Sequence, residues 1–159
     1  MYGTVHGYSN ECILQVIQRK YGGLWGPAGR IMKWRVLVVD DHPATRMGVC
    51  TLVASSALLE VCGEASDGLE AIEKVADLCP DAVVLDLTMP IMSGFEAALK
   101  IKRILPSAKI VFFTMHDVPA SVRIIGADAF VVKTSAPETL VAALERVLQH
   151  GRITGSGIV

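Results

Sequence analysis

The chain has 159 residues, which is enough for one domain with a substantial hydrophobic core but not for two full domains. Hydrophobic residues make up 52% and charged residues 19%, which excludes a disordered chain and suits a sheet buried on both faces. A formal net charge of -1 at pH 7 gives no general attraction to nucleic acid or to anionic membranes.

Residues 1–33 precede the first predicted strand and contain many glycines. Within them, only the stretch from Glu11 to Lys20 has apolar residues at helical spacing, so a short helix is predicted in a loosely ordered leader. Two alternatives stay open: this helix docks on the domain or on a partner, or translation truly starts at Met32.

From Trp34 onward, short β-rich runs alternate with helical patterns. The predicted strands are RVLVV, LLEVCGE, AVVLDL, KIVFFT and DAFVVK. The helical segments are TRMGVCTLVASS, GLEAIEKVADLC, SGFEAALKIKRI, the weaker PASVRIIG, and PETLVAALERVLQH after the last strand. Pro43 and Pro137 suit first-turn positions, Ser93 suits a helix cap, and Gly151 suits a helix stop. The alternation predicts an α/β fold, a doubly wound five-stranded parallel sheet with helices on both faces, over residues 34–150.

Polar residues stand where the predicted strands end. Strand 1 ends in Asp40 and Asp41, strand 3 in Asp86, strand 4 in Thr114 and strand 5 in Lys133. In a sheet of order 2-1-3-4-5, sites form beyond the carboxyl ends of the strands, between strands 1 and 3, so these side chains are expected to meet.

The chemistry of this group follows from its charges. Three carboxylates at one edge repel one another and need a cation between them, and oxygen ligands favour Mg²⁺. The charge of Lys133 and the hydroxyl of Thr114 suit the oxygens of a phosphoryl group, and Asp86 is the natural nucleophile.

Each residue also has an ordinary interpretation when it is taken alone. Asp41 fits a helix cap, Thr114 a strand residue, Lys133 a surface charge and Phe130 a core aromatic. The coincidence of polar positions at the ends of four strands favours a site.

Between Trp34 and His150 these residues resemble the receiver domain of two-component response regulators. The residues similar to the family's motifs are the acidic pair Asp40 and Asp41, the phospho-accepting Asp86 in DLTMPIMSG, the switch hydroxyl Thr114, the switch aromatic Phe130 and the lysine Lys133. The string VLVVDDHPATRMGV most resembles the subfamily whose regulators usually carry a helix-turn-helix output domain.

The resemblance implies a cofactor and a function. Mg²⁺ would be held by Asp41, Asp86 and the backbone carbonyl of Thr88, with Asp40 acting through water. Phosphorylation of Asp86 by a histidine kinase or phosphotransfer protein would then switch protein contacts with an output partner that the sequence does not identify. Such a domain is not a metabolic enzyme, although it can catalyse its own phosphorylation and dephosphorylation, and it contacts neither nucleic acid nor membrane.

Three other classes of protein share some of these features. A pseudo-receiver, which binds partners without phosphorylation, is the strongest alternative. A haloacid-dehalogenase-like phosphatase usually has a second acid two residues after its nucleophile, where this chain has Thr88. A flavodoxin-like cofactor binder needs a loop that donates to phosphate after strand 1, and Asp40 and Asp41 would repel one.

The segment between Thr114 and strand 5 is short. With Pro119 in the first turn and Gly126 as the stop, only residues 119–125 are left for the crossover helix, less than in related receivers. The resemblance places a dimerisation face there, so dimerisation is predicted to be weak or atypical. Residues 151–159 resemble a tail or the start of a linker.

The cysteines and the apolar runs bear on location. Cys12, Cys50, Cys62 and Cys79 are spaced too widely for a CxxC metal site or a dense disulfide framework, so buried thiols are expected. No apolar run has the length of a membrane span, and the first residues lack the layout of a secretory signal. A cytoplasmic location is predicted.

Overall fold

The computed structural model describes residues 32–115 and 126–150, together with Leu14 and Ile17. Those two residues of the predicted leader helix are helical and exposed. The rest of the leader, the crossover helix predicted at 119–125 and the tail 151–159 lie outside the described residues, so the proposed domain boundaries stay predictions.

The described elements form one parallel sheet with helices between its strands. The strands are β1 (Trp34–Val39), β2 (Leu59–Ala65), β3 (Ala82–Leu85), β4 (Lys109–Thr114) and β5 (Ala129–Val132). The helices are α1 (Pro43–Ser55), α2 (Gly68–Leu78), α3 (Gly94–Ile104) and α4 (Pro137–His150). The strand order is β2-β1-β3-β4-β5 with every pairing parallel, which confirms the predicted fold. None of the helices in these described ranges is both long and apolar enough to cross a bilayer.

The core lies on both faces of the sheet because successive residues of a strand point to opposite sides. On β1, Leu37 and Val39 belong to the apolar cluster that includes residues of α2 and α3, whereas Val36 and Val38 belong to the cluster with α1 and α4. All four residues are at most 1% exposed. A strand that is buried on both faces needs a continuous apolar run, which is why VLVV shows no polar alternation.

The helix starts follow local capping chemistry. Pro43 is the first residue of α1, as predicted. Ser93 caps α3: its hydroxyl accepts from the Glu96 amide, and the Glu96 carboxylate accepts from the Ser93 amide. Asp41 is not a helix cap, because the N-cap of α1 is His42, which makes no side-chain capping bond.

A β-bulge interrupts the edge strand β2. Val36 pairs with Val61 and Leu37 pairs with Gly63, which leaves Cys62 as the extra residue. A bulge twists an edge strand and so discourages further pairing along it.

The described cysteines do not all match the prediction of thiols. Cys50 and Cys62 have free thiols, whereas Cys79 is disulfide-bonded. The prediction is therefore wrong for Cys79, because wide spacing in sequence does not limit which residues meet in the folded chain.

Asp128, just before β5, collects three hydrogen-bond donors. Its carboxylate accepts from Lys102 Nζ at 2.8 Å, from Lys109 Nζ at 3.1 Å and from the Ile110 amide at 2.8 Å. Burial raises the pKa of Asp128, but these bonds lower it by more, so the pKa lies below its ordinary value. This cluster ties the end of α3 to the start of β4 and β5.

An Asp128→Asn variant is expected to lose about 2 kcal/mol of stability at neutral pH, because two part-buried lysines lose their counter-charge. The native pKa of Asp128 is depressed, so its stabilising contribution is complete above the unfolded pKa of about 4 and is lost as pH falls through the native pKa. Urea unfolding at several pH values should show a constant difference in the free energy of unfolding between variant and wild type near neutral pH. This difference should become smaller below about pH 4. Asp77→Asn, at an exposed position of α2, is the control. A stability difference that does not depend on pH would contradict a stabilising role for the charge of Asp128.

Candidate functional site

The backbone aligns the strand ends at the carboxyl edge of the sheet. Hydrogen bonds continue one residue beyond the strands: the Asp40 amide donates to the Ala65 carbonyl at 3.1 Å and the Asp86 amide to the Val39 carbonyl at 3.0 Å. The Lys133 amide donates to the Thr114 carbonyl at 2.7 Å. Asp40, Asp86 and Lys133 therefore each start from a fixed main-chain position.

Lys133 bridges two buried carboxylates. Its Nζ lies 2.6 Å from Asp40 Oδ2 and 3.3 Å from Asp86 Oδ2. The side chains of Lys133, Asp40 and Asp86 are 10%, 3% and 6% exposed, so water screens these charges little. The structure thus brings together the acid that follows β1, the acid that follows β3 and the lysine that follows β5, as predicted.

The pKa of Asp86 reflects its surroundings. Burial raises this pKa above its ordinary value, the positive charge and hydrogen bond of Lys133 offset part of the rise, and the negative charge of Asp40 adds to it. The backbone amide of Thr88 also stabilises the Asp86 carboxylate by a hydrogen bond. For Thr88 the structure therefore shows its amide acting on Asp86; a role for its carbonyl as a metal ligand stays a prediction.

Asp41 lies beside this pair and is more open to solvent. Its side chain is 25% exposed, and its Oδ1 lies 3.0 Å from His42 Nδ1. Asp40 Oδ1 accepts from the His42 amide at 2.9 Å. Possible ligand atoms of Asp40, Asp41 and His42 lie within 4.8 Å of one another. The proximity of His42 was not predicted, since a histidine before a helix proline carries no signal of its own.

These residues fit a hard divalent cation. Asp40, Asp41 and Asp86 carry three negative charges, and Lys133 supplies a single positive charge close to Asp40 and Asp86. The remaining negative charge and the carboxylate oxygens are what Mg²⁺ binds in proteins. The three aspartates are the residues that would hold it.

Thr114 and Phe130 lie on the neighbouring strands β4 and β5. Thr114 is 5% exposed at the end of β4. Phe130, on β5, stacks on Phe112 with ring centroids 5.4 Å apart and packs against the apolar cluster on the α2 and α3 face. Their predicted switch roles stay predictions.

The loop after Asp86 is held tightly against α3. The Gly94 amide donates to the Leu87 carbonyl at 3.0 Å. A Cβ atom at Gly94 would lie 1.8 Å from the Asp86 carbonyl oxygen, so only glycine allows the helix to start this close to the strand end. Within the loop, Ile91 has φ +69° and the Met92 amide donates to the Pro90 carbonyl at 2.7 Å.

Comparison with known proteins identifies one family and several relatives that match this chain. The family described as response regulator receiver domain matches residues 36–145. The chemotaxis protein CheY of Thermotoga maritima is 40% identical over 116 residues, covering 71% of this chain and 96% of CheY. The nitrate/nitrite response regulator protein NarL of Escherichia coli is 38% identical over 115 residues, covering 70% of this chain and 53% of NarL.

Solved structures of response regulators also match this chain. A two-component response regulator of the LuxR family from Aurantimonas matches with a TM-score of 0.70 and 38% identity, covering 76% of this chain and 87% of that one. The chain spans a little over half the length of NarL and of the Staphylococcus saprophyticus regulator VraR. The family match over most of the chain confirms the resemblance seen in the sequence: this chain belongs to the response regulator receiver domain family.

Proposed function

We propose that the chain receives a phosphoryl group on Asp86 in an Mg²⁺-dependent reaction and thereby switches its contacts with other proteins. The observation that carries the proposal is the buried Asp86 carboxylate, 3.3 Å from Lys133 Nζ and next to Asp40. Membership of a two-component signalling family, which is not a family of metabolic enzymes, supports it.

The geometry supports direct attack by Asp86. One carboxylate oxygen forms a bond to phosphorus while the bond from phosphorus to the donor's leaving atom breaks, and the leaving group keeps that electron pair. Lys133 can pair with an oxygen of the transferred group, and the Thr114 hydroxyl can donate to another. When bound, Mg²⁺ would supply charge neutralisation for the phosphoryl oxygens.

The partners follow from the same proposal. The donor is a phosphohistidine on a histidine kinase or a phosphotransfer protein, or a small acyl phosphate. The longer relatives extend beyond the matched part, which supports an output domain or partner for this receiver. Weak or atypical dimerisation and a cytoplasmic location are also part of the proposal. The pseudo-receiver alternative has no support, since the acid pair, Asp86, Thr114 and Lys133 are all retained at one edge.

Incubation with acetyl phosphate and Mg²⁺ is expected to add one phosphoryl group, detected by intact-mass measurement. The Asp86→Asn variant should gain none, because its side chain lacks the nucleophilic carboxylate. Asp77→Asn, an exposed aspartate of α2, should be labelled like wild type. Labelling that survives in Asp86→Asn, or that persists with excess chelator, would refute the assignment.

A further inference from the structure

Arg46, on the first turns of α1, joins three elements next to the site. Its Nη1 donates to the backbone carbonyl of Asp40 at 2.7 Å, and its Nε donates to Glu64 Oε2 at 3.1 Å. The Arg46 side chain is only 18% exposed, and its bond to the Asp40 carbonyl is partly shielded from water. The arginine thus connects α1, the end of β1 and the end of β2.

The Asp40 carbonyl belongs to the peptide group that joins Asp40 to Asp41. The amide on one side of Asp40 is fixed by Ala65, and Arg46 fixes the carbonyl on the other side. The plane of this peptide sets the direction in which the Asp41 side chain leaves the strand end. The guanidinium therefore controls how the two neighbouring carboxylates are placed relative to each other.

Glu64 is itself held from the other side. Lys74 Nζ donates to the Glu64 carbonyl and, at 2.7 Å, to Glu70 Oε1, and Glu70 Oε2 accepts from the Ser66 amide at 2.7 Å. The Glu64 side chain is 51% exposed, so its ion pair with Arg46 contributes little energy. Its contribution is geometric, because a planar guanidinium with two anchors has few orientations left.

We propose that Arg46 is a positioning residue for the cation site, holding the peptide between Asp40 and Asp41 so that both carboxylates face one bound divalent ion. The inference rests on the proposed function, because it concerns the Mg²⁺ site that phosphorylation of Asp86 would use. It assigns Arg46 no contact with the ion or with the phosphoryl group.

Two substitutions distinguish an electrostatic role of Arg46 from a positioning role. Arg46→Lys keeps the positive charge but replaces the planar group with a single ammonium, which cannot hold both anchors in the same geometry. Arg46→Met removes the charge as well, and loss of a positive charge near the acids would by itself strengthen cation binding. A positioning role therefore predicts weaker Mg²⁺ binding in both variants. A purely electrostatic role predicts unchanged binding in Arg46→Lys and tighter binding in Arg46→Met.

Calorimetric titration of the full chain with MgCl₂ is the direct test. Both Arg46 variants are expected to bind Mg²⁺ about tenfold more weakly than wild type, while Arg103→Lys, an exposed position of α3, should match wild type. The Mg²⁺ concentration for half-maximal labelling of Asp86 by acetyl phosphate should rise by the same factor. The rate at saturating Mg²⁺ should stay within about twofold, as expected when only binding is affected.

The outcomes separate the inference from the proposed function. Wild-type affinity in both Arg46 variants, or tighter binding in Arg46→Met, would overturn the inference while Asp86 labelling stands. If wild type neither binds Mg²⁺ nor is labelled, the proposed function fails and the inference falls with it. Thermal melts check folding; if Arg46→Met does not fold, Arg46→Lys decides, because it keeps the positive charge and changes only the geometry of the two contacts.

Discussion

Replacing Gly94 by alanine is expected to destabilise the domain by about 3 kcal/mol and to slow phosphorylation of Asp86. The added Cβ would meet the Asp86 carbonyl oxygen at 1.8 Å and the Leu87 Cα at 3.0 Å. These are backbone atoms, so no flexible side chain can move aside to relieve the contact. Either the start of α3 or the end of β3 must shift, and the second shift displaces the proposed nucleophile.

Gly48→Ala is a matched control within the same protein. Gly48 lies in the interior of α1, and a Cβ there would have no atom within 4 Å. Alanine in a helix interior is expected to add about 0.5 to 1 kcal/mol of stability relative to glycine. Urea unfolding of both variants and their labelling by acetyl phosphate measure the effects. Equal stability of Gly94→Ala and wild type would show that the close approach at Asp86 is not needed for the fold.

The sheet could be predicted because its information is local. Each strand is a short apolar run, each helix has a regular apolar spacing, and their alternation permits few topologies. The site could be predicted for a related reason: in a parallel sheet, whatever follows the strands meets at one edge. Lys133 follows Asp40 by 93 positions, yet it contacts both Asp40 and Asp86 because all three residues follow strands of the same sheet.

What the sequence could not show depends on side-chain geometry across elements. Arg46 and Glu64 are 18 positions apart, and the sequence alone predicts a solvated surface charge at each of them. The sequence shows Asp128 only as the start of a strand, because its partners, Lys102 near the end of α3 and Lys109 at the start of β4, come beside it only in the folded chain. Likewise, the sequence does not predict that Lys133 sits closer to Asp40 than to Asp86.

Because Lys133 pairs with both Asp40 and Asp86, Lys133→Met is expected to cost about 3 kcal/mol of stability when Mg²⁺ is removed by a chelator. Methionine fills a similar volume but leaves Asp40 and Asp86, both at most 5% exposed, facing each other without a cation. Buried carboxylates without a partner are costly because they have lost their hydration. Chemical unfolding with chelator measures the loss, and Lys100→Met, an exposed lysine of α3, should change stability by no more than about 0.5 kcal/mol.

A second substitution tests whether repulsion between the two acids is the cause. In the double variant Lys133→Met with Asp40→Asn, one of the buried charges is gone, so the loss should be clearly smaller than the sum of the two single losses. Mg²⁺ should also stabilise Lys133→Met, because a bound divalent ion replaces the missing charge near the carboxylates. If the single losses instead add, and Mg²⁺ leaves the variant unchanged, Lys133 contributes only packing at this edge. The proposed pairing of one lysine with a divalent ion among three aspartates would then lose its electrostatic basis.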